Sequence, residues 1–593
     1  MAGPCSFRKT RNTITSTNKL AQLYLQRDFT LLALRMRLFL SAIVFFTILA
    51  TIVIAQYREN QIEFWNTLGH AHIDRRIKLF GAQHKPPKNV IFFLGDGMGL
   101  SMVTAGRISR AEKDGYIYHN EPFAFEKFDF AGLVKTASYD FHTTDSAAGA
   151  MALFTGHKVE QNSLGRLPGM GGKCAEGENA HINDGIAELA LAKGMSVGVV
   201  TTTKITDATP AANYAKGVHR QMDHDVAAKI NGTQCTDIAQ QILRYPANKF
   251  AVLMGGGKQY FTPKENNGLR GDQRDITKEW KELEGKRTYL SNIKDFNDHV
   301  PEHGEKVLGL FAKDNFNYYL FEKEAKKNEQ PRLVDMAKKA LSVLKMQHND
   351  NGFYLMIEGG AIDLAEHDNM IHPAAEELSE FSIAIEEIRK LIDEDTLIVV
   401  TADHGHALTL PGYVHKNNSI YNAEVEEPDM DVDGLPVPSL HFATGPGYNT
   451  SRNYTAEQAA DSHFKHPAAY PTAWGAHGGE DVGIWAQGPY SWLFSGSIEN
   501  TQVAYTIKFL LCLDNTQPNF CNIQNTAVPD ALTGNIEAPG QSLSGGVVAV
   551  IVVLSLLALI SALSTAFLAF LVFSRSNRRL QDSNSFSMQS PKL

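Results

Sequence analysis

The segment Thr144-Asp145-Ser146-Ala147-Ala148-Gly149 sets a serine hydroxyl at the head of a small-residue, helix-forming run that continues to Thr155. Backbone N–H groups at a helix N-terminus concentrate partial positive charge, which suits an anionic ligand or an ionised serine oxygen. Asp-Ser is equally an ordinary helix cap, so this segment alone does not specify chemistry. Acids and histidines further along the chain supply the rest. Asp363 and His367 stand four apart at what reads as a helix start, so both side chains can face one ion. Asp403-His404 follows an apolar strand directly, where a charged pair is costly unless paired or ligated. His477 sits in Gly475-Ala476-His477-Gly478-Gly479-Glu480-Asp481, a loop with little signature of its own.

Imidazole and carboxylate donors of this kind suit zinc. Asp96 and Glu358, joined by hydroxyl groups, better suit magnesium, which prefers oxygen. Two ions about 3.5–4 Å apart can clamp the attacking and leaving oxygens of an in-line displacement. A serine nucleophile beside them points to phosphoryl transfer through a phosphoserine.

Positioning such groups requires a scaffold, and its pattern is visible. The apolar run 90–94 ends in Gly95-Asp96-Gly97, and 195–200 follows the helical stretch 186–193. The run 250–254 ends in a glycine cluster, 353–357 ends at Glu358, and 396–400 leads to Asp403. Continuous apolar strands separated by helices predict an α/β fold, a large central mostly parallel sheet flanked by helices on both faces. Ligands bind beyond the carboxyl ends of such strands, where Asp96, Glu358 and Asp403 fall. Gly255-Gly256-Gly257-Lys258 lacks phosphate-loop spacing and reads as a turn. Residues 413–473, rich in Pro, Asn, His and Gly, read as a small surface insertion subdomain.

The chain has 593 residues, 43% hydrophobic, with a formal net charge of -9, which fits a globular body and argues against nucleic-acid binding. Two apolar runs, 38–55 and 547–573, carry basic flanks on their outer sides, including Arg35, Arg37, Arg575, Arg578 and Arg579. Positive flanks stay inside, so 1–37 and 574–593 are expected in the cytoplasm and 56–540 outside the cell, with 547–573 as a transmembrane helix. The first run reads as a signal anchor or, with Val53-Ile54-Ala55 as a cleavage site, a signal peptide. A lipid anchor is the lesser alternative, since a polar tail follows the second run. Cys174, Cys235, Cys512 and Cys521 lie between the runs and allow three pairings, the simplest being Cys174–Cys235 with Cys512–Cys521. Sequons at Asn231, Asn417, Asn449 and Asn453 fit the same exterior compartment.

Taken in order, five strings resemble the alkaline phosphatase family, animal branch. They are Phe93-Leu94-Gly95-Asp96-Gly97-Met98-Gly99, Asp145-Ser146-Ala147, Glu358-Gly359-Gly360 with Ile362-Asp363 and His367, Thr401-Ala402-Asp403-His404, and His477 with Gly479-Glu480-Asp481. The resemblance implies hydrolysis of phosphate monoesters or phosphoproteins at alkaline pH, with two zinc ions and one magnesium ion. It implies Ser146 as nucleophile and Arg220 as a bidentate phosphate clamp. Asp363, His367 and His477 would hold one zinc, and Asp96, Asp403 and His404 the other. Asp96, Glu358 and Thr209 would hold magnesium. Homodimerisation through the insertion carries over from the family.

Four positions depart from the common animal pattern. Asp207 and Thr209 stand where vertebrate members resemble His and Ser, so Asp207, like Asp145, is expected to act behind the direct contacts. Trp474 replaces a usual acid, and Ala312 stands where many members carry a calcium-site acid, so no fourth metal is expected. A phosphodiesterase of the same superfamily is disfavoured by Ser146 with Arg220, and a sulfatase by the absence of Cys/Ser-x-Pro-x-Arg. A catalytically silent ectodomain would have decayed ligands, and none is seen.

Overall fold

Ten strands form the central sheet: β1 (Asn89–Gly95), β2 (Phe130–Lys135), β3 (Ser196–Lys204), β4 (Val252–Gly256), β5 (Arg287–Leu290), β6 (Lys306–Leu310), β7 (Phe353–Gly359), β8 (Thr396–Thr401), β9 (Val482–Gln487) and β10 (Gly496–Glu499). Their spatial order is β10-β2-β9-β8-β1-β7-β3-β4-β6-β5. Neighbours pair in parallel except at β9, which runs antiparallel to both β8 and β2. The computed structural model describes residues 86–115, 121–168, 181–230, 235–347, 350–424, 433–449 and 454–513. All of these lie in the unit Gln83–Ala527.

Every residue of β1, β7 and β8 is buried, which explains why they read as unbroken apolar runs. Helices cover both faces: α1 (Leu100–Lys113), α2 (Ser146–Thr155), α3 (Ala208–Ala211), α4 (Leu333–Lys345), α5 (Ala361–His367), α6 (Ile371–Arg389) and α7 (Asn500–Leu510). Adjacent side chains on β1 show the division. Phe92 meets Phe154 of α2 edge-on at 5.4 Å, whereas Phe93 meets Phe381 of α6 at 5.8 Å. Successive strand residues point to opposite faces, so α2 and α6 lie on opposite sides.

Register matters for function. Leu94 lies opposite Thr401 on one side and Glu358 on the other, and Thr201 lies opposite Glu358. The carboxyl ends of β8, β1 and β7 therefore finish flush, side by side, while β3 runs on beyond them to Lys204.

A three-stranded sheet made of Leu408–Thr409, His441–Gly445 and Ala468–Pro471 spans the insertion. Its first strand lies ahead of residue 413. His372 of α6 stacks on Tyr421 at 3.7 Å, and the His466 amide donates to the Asn369 carbonyl at 2.8 Å, tying the insertion to the body.

Strands β2, β5, β6, β9 and β10 are not among the apolar runs identified from the sequence. The reason is visible in β2 and β10, which are half exposed and contain glycine. The apolar runs 38–55 and 547–573, together with Cys174, Cys521, Asn231 and Asn453, lie outside the described residues. Among the described residues no helix is long and apolar enough to cross a membrane. Cys235 and Cys512 are each disulfide-bonded, and Asn417 and Asn449 are exposed.

Phe154 is 1% exposed and joins α2 to the sheet. Phe154→Ala is expected to cost about 3–5 kcal/mol, read as a lowered urea midpoint of unfolding.

Candidate active site

The flush strand ends supply most of the site. Asp96 immediately follows β1, Glu358 is the next-to-last residue of β7, and Asp403 and His404 come just after β8. Gly359 and Gly360 turn the chain into α5, which carries Asp363 and His367 one turn apart. His477 arrives on the loop between the insertion and β9. Two groups result. The ligand atoms of Asp363, His367, His406 and His477 all lie within 4.8 Å of one another, as do those of Asp96, Asp403 and His404. The rings of His404 and His477 stack at 3.5 Å and join the two groups.

Tautomers follow from the hydrogen bonds. The His367 Nδ1–H donates to the Gly475 carbonyl at 2.6 Å, and the His477 Nδ1–H to the Thr144 carbonyl at 2.9 Å. In the neutral rings this leaves a lone pair on each Nε2. Those two Nε2 atoms face each other at 3.3 Å, with Asp363 Oδ2 3.3 Å from His367 Nε2. Two imidazoles oriented by carbonyls, converging with a carboxylate, form a donor set that fits zinc. Burial presses the His367 imidazolium down, but Asp363 outweighs it and His367 is pushed up to about 9. Burial pushes His477 down to about 4.

His406 was not anticipated from the sequence. Its Nε2–H donates to Asp363 Oδ1, fixing that carboxylate. The only signal was its position, two residues after His404 in the same loop.

The second group is more strongly acidic. Asp96 Oδ1, Asp403 Oδ2 and Glu358 Oε1 are buried and have no hydrogen-bond partner. Burial, then Asp403, Asp363 and Glu358, holds the Asp96 carboxyl well above the usual range. Burial likewise lifts Asp403 to about 7 and Glu358 to about 8. Orphaned, crowded carboxylate oxygens fit a divalent cation, which removes the cost of burying like charges. Glu358 Oε2 accepts from Thr201 and Thr203, two further residues the sequence reading missed, and Thr209 Oγ1 donates to Asp96 Oδ2 at 3.4 Å. This oxygen-only corner fits magnesium.

Ser146 is the first residue of α2 and is 2% exposed, with its Oγ 3.2 Å from His404 Nε2. Asp145 caps the helix through the amides of Ala147 and Ala148. Gly149 permits the close approach of α2, since a Cβ there would lie 3.1 Å from Asp403 Cβ. Arg220 Nη1 donates to Asp145 Oδ2 at 3.0 Å and Nη2 to Asp207 Oδ1 at 3.3 Å. Burial pulls the guanidinium pKa down, but Asp207 and Asp145 more than offset this. Two carboxylates gripping different nitrogens fix the guanidinium plane and leave further N–H groups for an anion. Trp474 is exposed, and the next residue, Gly475, clips onto His367 by its amide at 2.7 Å as well as by its carbonyl.

A family profile described as alkaline phosphatase matches residues 87–513. The chain is 34% identical to "Alkaline phosphatase 4" of Drosophila melanogaster over 76% of this chain and 82% of that protein. It is 32% identical to "Membrane-bound alkaline phosphatase" of Bombyx mori, covering 77% and 86%. It is 30% identical to the human tissue-nonspecific isozyme, covering 77% and 90%. Among solved structures, alkaline phosphatase of Thermus thermophilus superposes with a TM-score of 0.54 at 18% identity, covering 74% of this chain and 96% of that one. A mutant of the TAB5 alkaline phosphatase with Mg bound in the M3 site gives 0.51 at 24% identity, covering 73% and 100%. The structural matches agree with the fold, and the profile and the relatives show that this chain belongs to the alkaline phosphatase family.

Proposed function

We propose that this metal-dependent phosphate-monoester hydrolase works through a covalent phosphoserine at Ser146. The observation that carries the reading is the position of Ser146 Oγ, at a helix N-terminus, 3.2 Å from His404 Nε2 and flanked by the doubly held Arg220. In the first step Ser146 Oγ gives up its proton to solvent and bonds to phosphorus as the ester P–O bond breaks, and the leaving oxygen takes a proton from solvent to depart as the alcohol. In the second, a water oxygen bonds to phosphorus and releases a proton, the Ser146 Oγ–P bond breaks with Oγ regaining a proton, and inorganic phosphate departs. Arg220 binds two non-bridging phosphate oxygens, and Asp145 and Asp207 hold its plane so that little ordering remains at the moment of reaction. The N-terminal end of α2 adds favourable electrostatics for the charged serine oxygen.

Three cations complete the reading: zinc held by Asp363, His367 and His477, zinc held by Asp96, Asp403 and His404, and magnesium held by Asp96, Thr209 and Glu358. When bound, they supply charge stabilisation for the transferring group and for both apical oxygens. His406 acts on Asp363 as a positioning residue. Magnesium in the related TAB5 structure supports an oxygen-rich third site.

The two apolar runs, their basic flanks and the "membrane-bound" description of the Bombyx mori relative support a membrane enzyme with its catalytic body outside the cell. Membership of the family supports a homodimer formed through the insertion.

Ser146→Ala should lower p-nitrophenyl phosphate turnover by about four orders of magnitude or more and abolish the acid-trapped phosphoenzyme seen by intact mass. Arg220→Ala should lower kcat/KM by about 10²–10³-fold, with Arg220→Lys giving little rescue. Wild-type-like turnover in either alanine variant would remove the proposal. Chelation should abolish activity and lower Tm, and elemental analysis of reloaded enzyme should give zinc and magnesium near two to one. Glu358→Gln should lose magnesium while keeping zinc. Full-length protein should resist carbonate extraction from membranes and, in detergent, run at dimer mass. Peptide N-glycosidase should increase its gel mobility.

A further inference from the structure

A cavity of about 370 Å³ lies beyond the site, between the segment running from Phe316 to Leu333 and helix α6, with Thr202 of β3 in its wall. Its charges are sorted by depth. Glu322, Glu377 and Glu380 are buried in the wall, whereas Lys323, Lys326 and Lys327 are exposed at the mouth. Most of the acids are matched. Glu380 accepts from Arg332 Nε and Nη2, both at 2.7 Å. Glu322 accepts from Asn317 Nδ2 at 2.8 Å and from the Glu329 amide. Glu376, just behind, pairs with Lys113 and Lys323.

Glu377 differs. It is 7% exposed, its Oε1 accepts the Tyr319 amide at 2.6 Å, and no cation among the described residues pairs with it. Burial pushes its carboxyl up to about 8; the Tyr319 amide opposes this, and Glu380 and Glu376 add to it. A buried carboxyl without a counter-charge is unfavourable, and an ammonium group offered from the cavity would relieve it. At the mouth, Lys326 and Lys327 make no ion pair among the described residues and are placed to receive an anion. The lysines disfavour a bare divalent cation, and Glu377 disfavours a bare anion. The volume falls in the lower part of the range of small-molecule pockets.

We propose that this cavity is a second ligand site, taking a small zwitterion whose ammonium group meets Glu377 and whose acidic group meets Lys326 and Lys327. The proposal is independent of the phosphoserine reading, because none of these residues belongs to the catalytic group.

The test is calorimetric titration of the metal-loaded enzyme with 4-aminobutyrate, in a buffer free of competing phosphate. Saturable binding is expected. It should weaken about tenfold or more in Glu377→Gln and in the double variant Lys326→Ala/Lys327→Ala, each retaining wild-type turnover. Butylamine and butyrate, each with one charge, should bind at least about tenfold more weakly than the zwitterion. No saturable heat with the wild type, equal affinity in the variants, or equal binding of butylamine would overturn the proposal. If Glu377→Gln fails to fold, the surface lysine variant decides by itself.

Discussion

Four carboxylates that the solvent barely reaches, Asp96, Asp403, Glu358 and Asp363, are crowded at one end of the sheet, and everything else in the site answers that repulsion. Each would be driven toward its neutral form by burial and by its neighbours. Asp363 escapes, held well below the usual carboxylate range despite burial because His367 and His406 oppose it. The other three do not. A fold that keeps such a cluster intact is one in which positively charged groups or ions belong there. The unfavourable energy stored among the carboxylates is what gives a divalent cation its grip.

The sheet makes that crowding possible. Parallel strands finishing together bring the residues after β8, β1 and β7 to one edge, and the register leaves them no freedom to slide apart. Helix α2 then enters from the other face with a side-chain-free turn at Gly149, so that Ser146 reaches the cluster. Strand β9, running against the rest, begins close to the end of β8, and the loop before it lays the His477 ring on His404. Arg220 sits between Asp145 and Asp207 and so couples the helix that carries the serine to the segment that carries Thr209.

Much of this was legible in the sequence, for physical reasons that can be named. Strands buried on both faces leave long apolar runs, so β1, β7 and β8 could be read directly, together with the acids that follow them. Half-exposed strands with glycine, such as β2 and β10, leave no such trace. The candidate ligands fall together, but His406, Thr201 and Thr203 escaped notice because their importance is relational. His406 matters only because Asp363 swings beneath it, and Thr201 only because β3 lies beside β7 (a neighbour relation that periodicity cannot reveal). The first strand of the insertion's sheet was also missed, since Leu408–Thr409 is too short to show alternation.

The His477 ring is oriented by the carbonyl of Thr144, a residue 333 positions earlier in the chain. During synthesis, then, a nascent polypeptide exposes its first acids long before the final imidazole emerges from the ribosome. Until that last loop arrives, the zinc site proposed at Asp363 and His367 would lack its third donor. Assembly of the proposed zinc site therefore waits for residue 477 to leave the ribosome, and a product terminated before it would lack that imidazole.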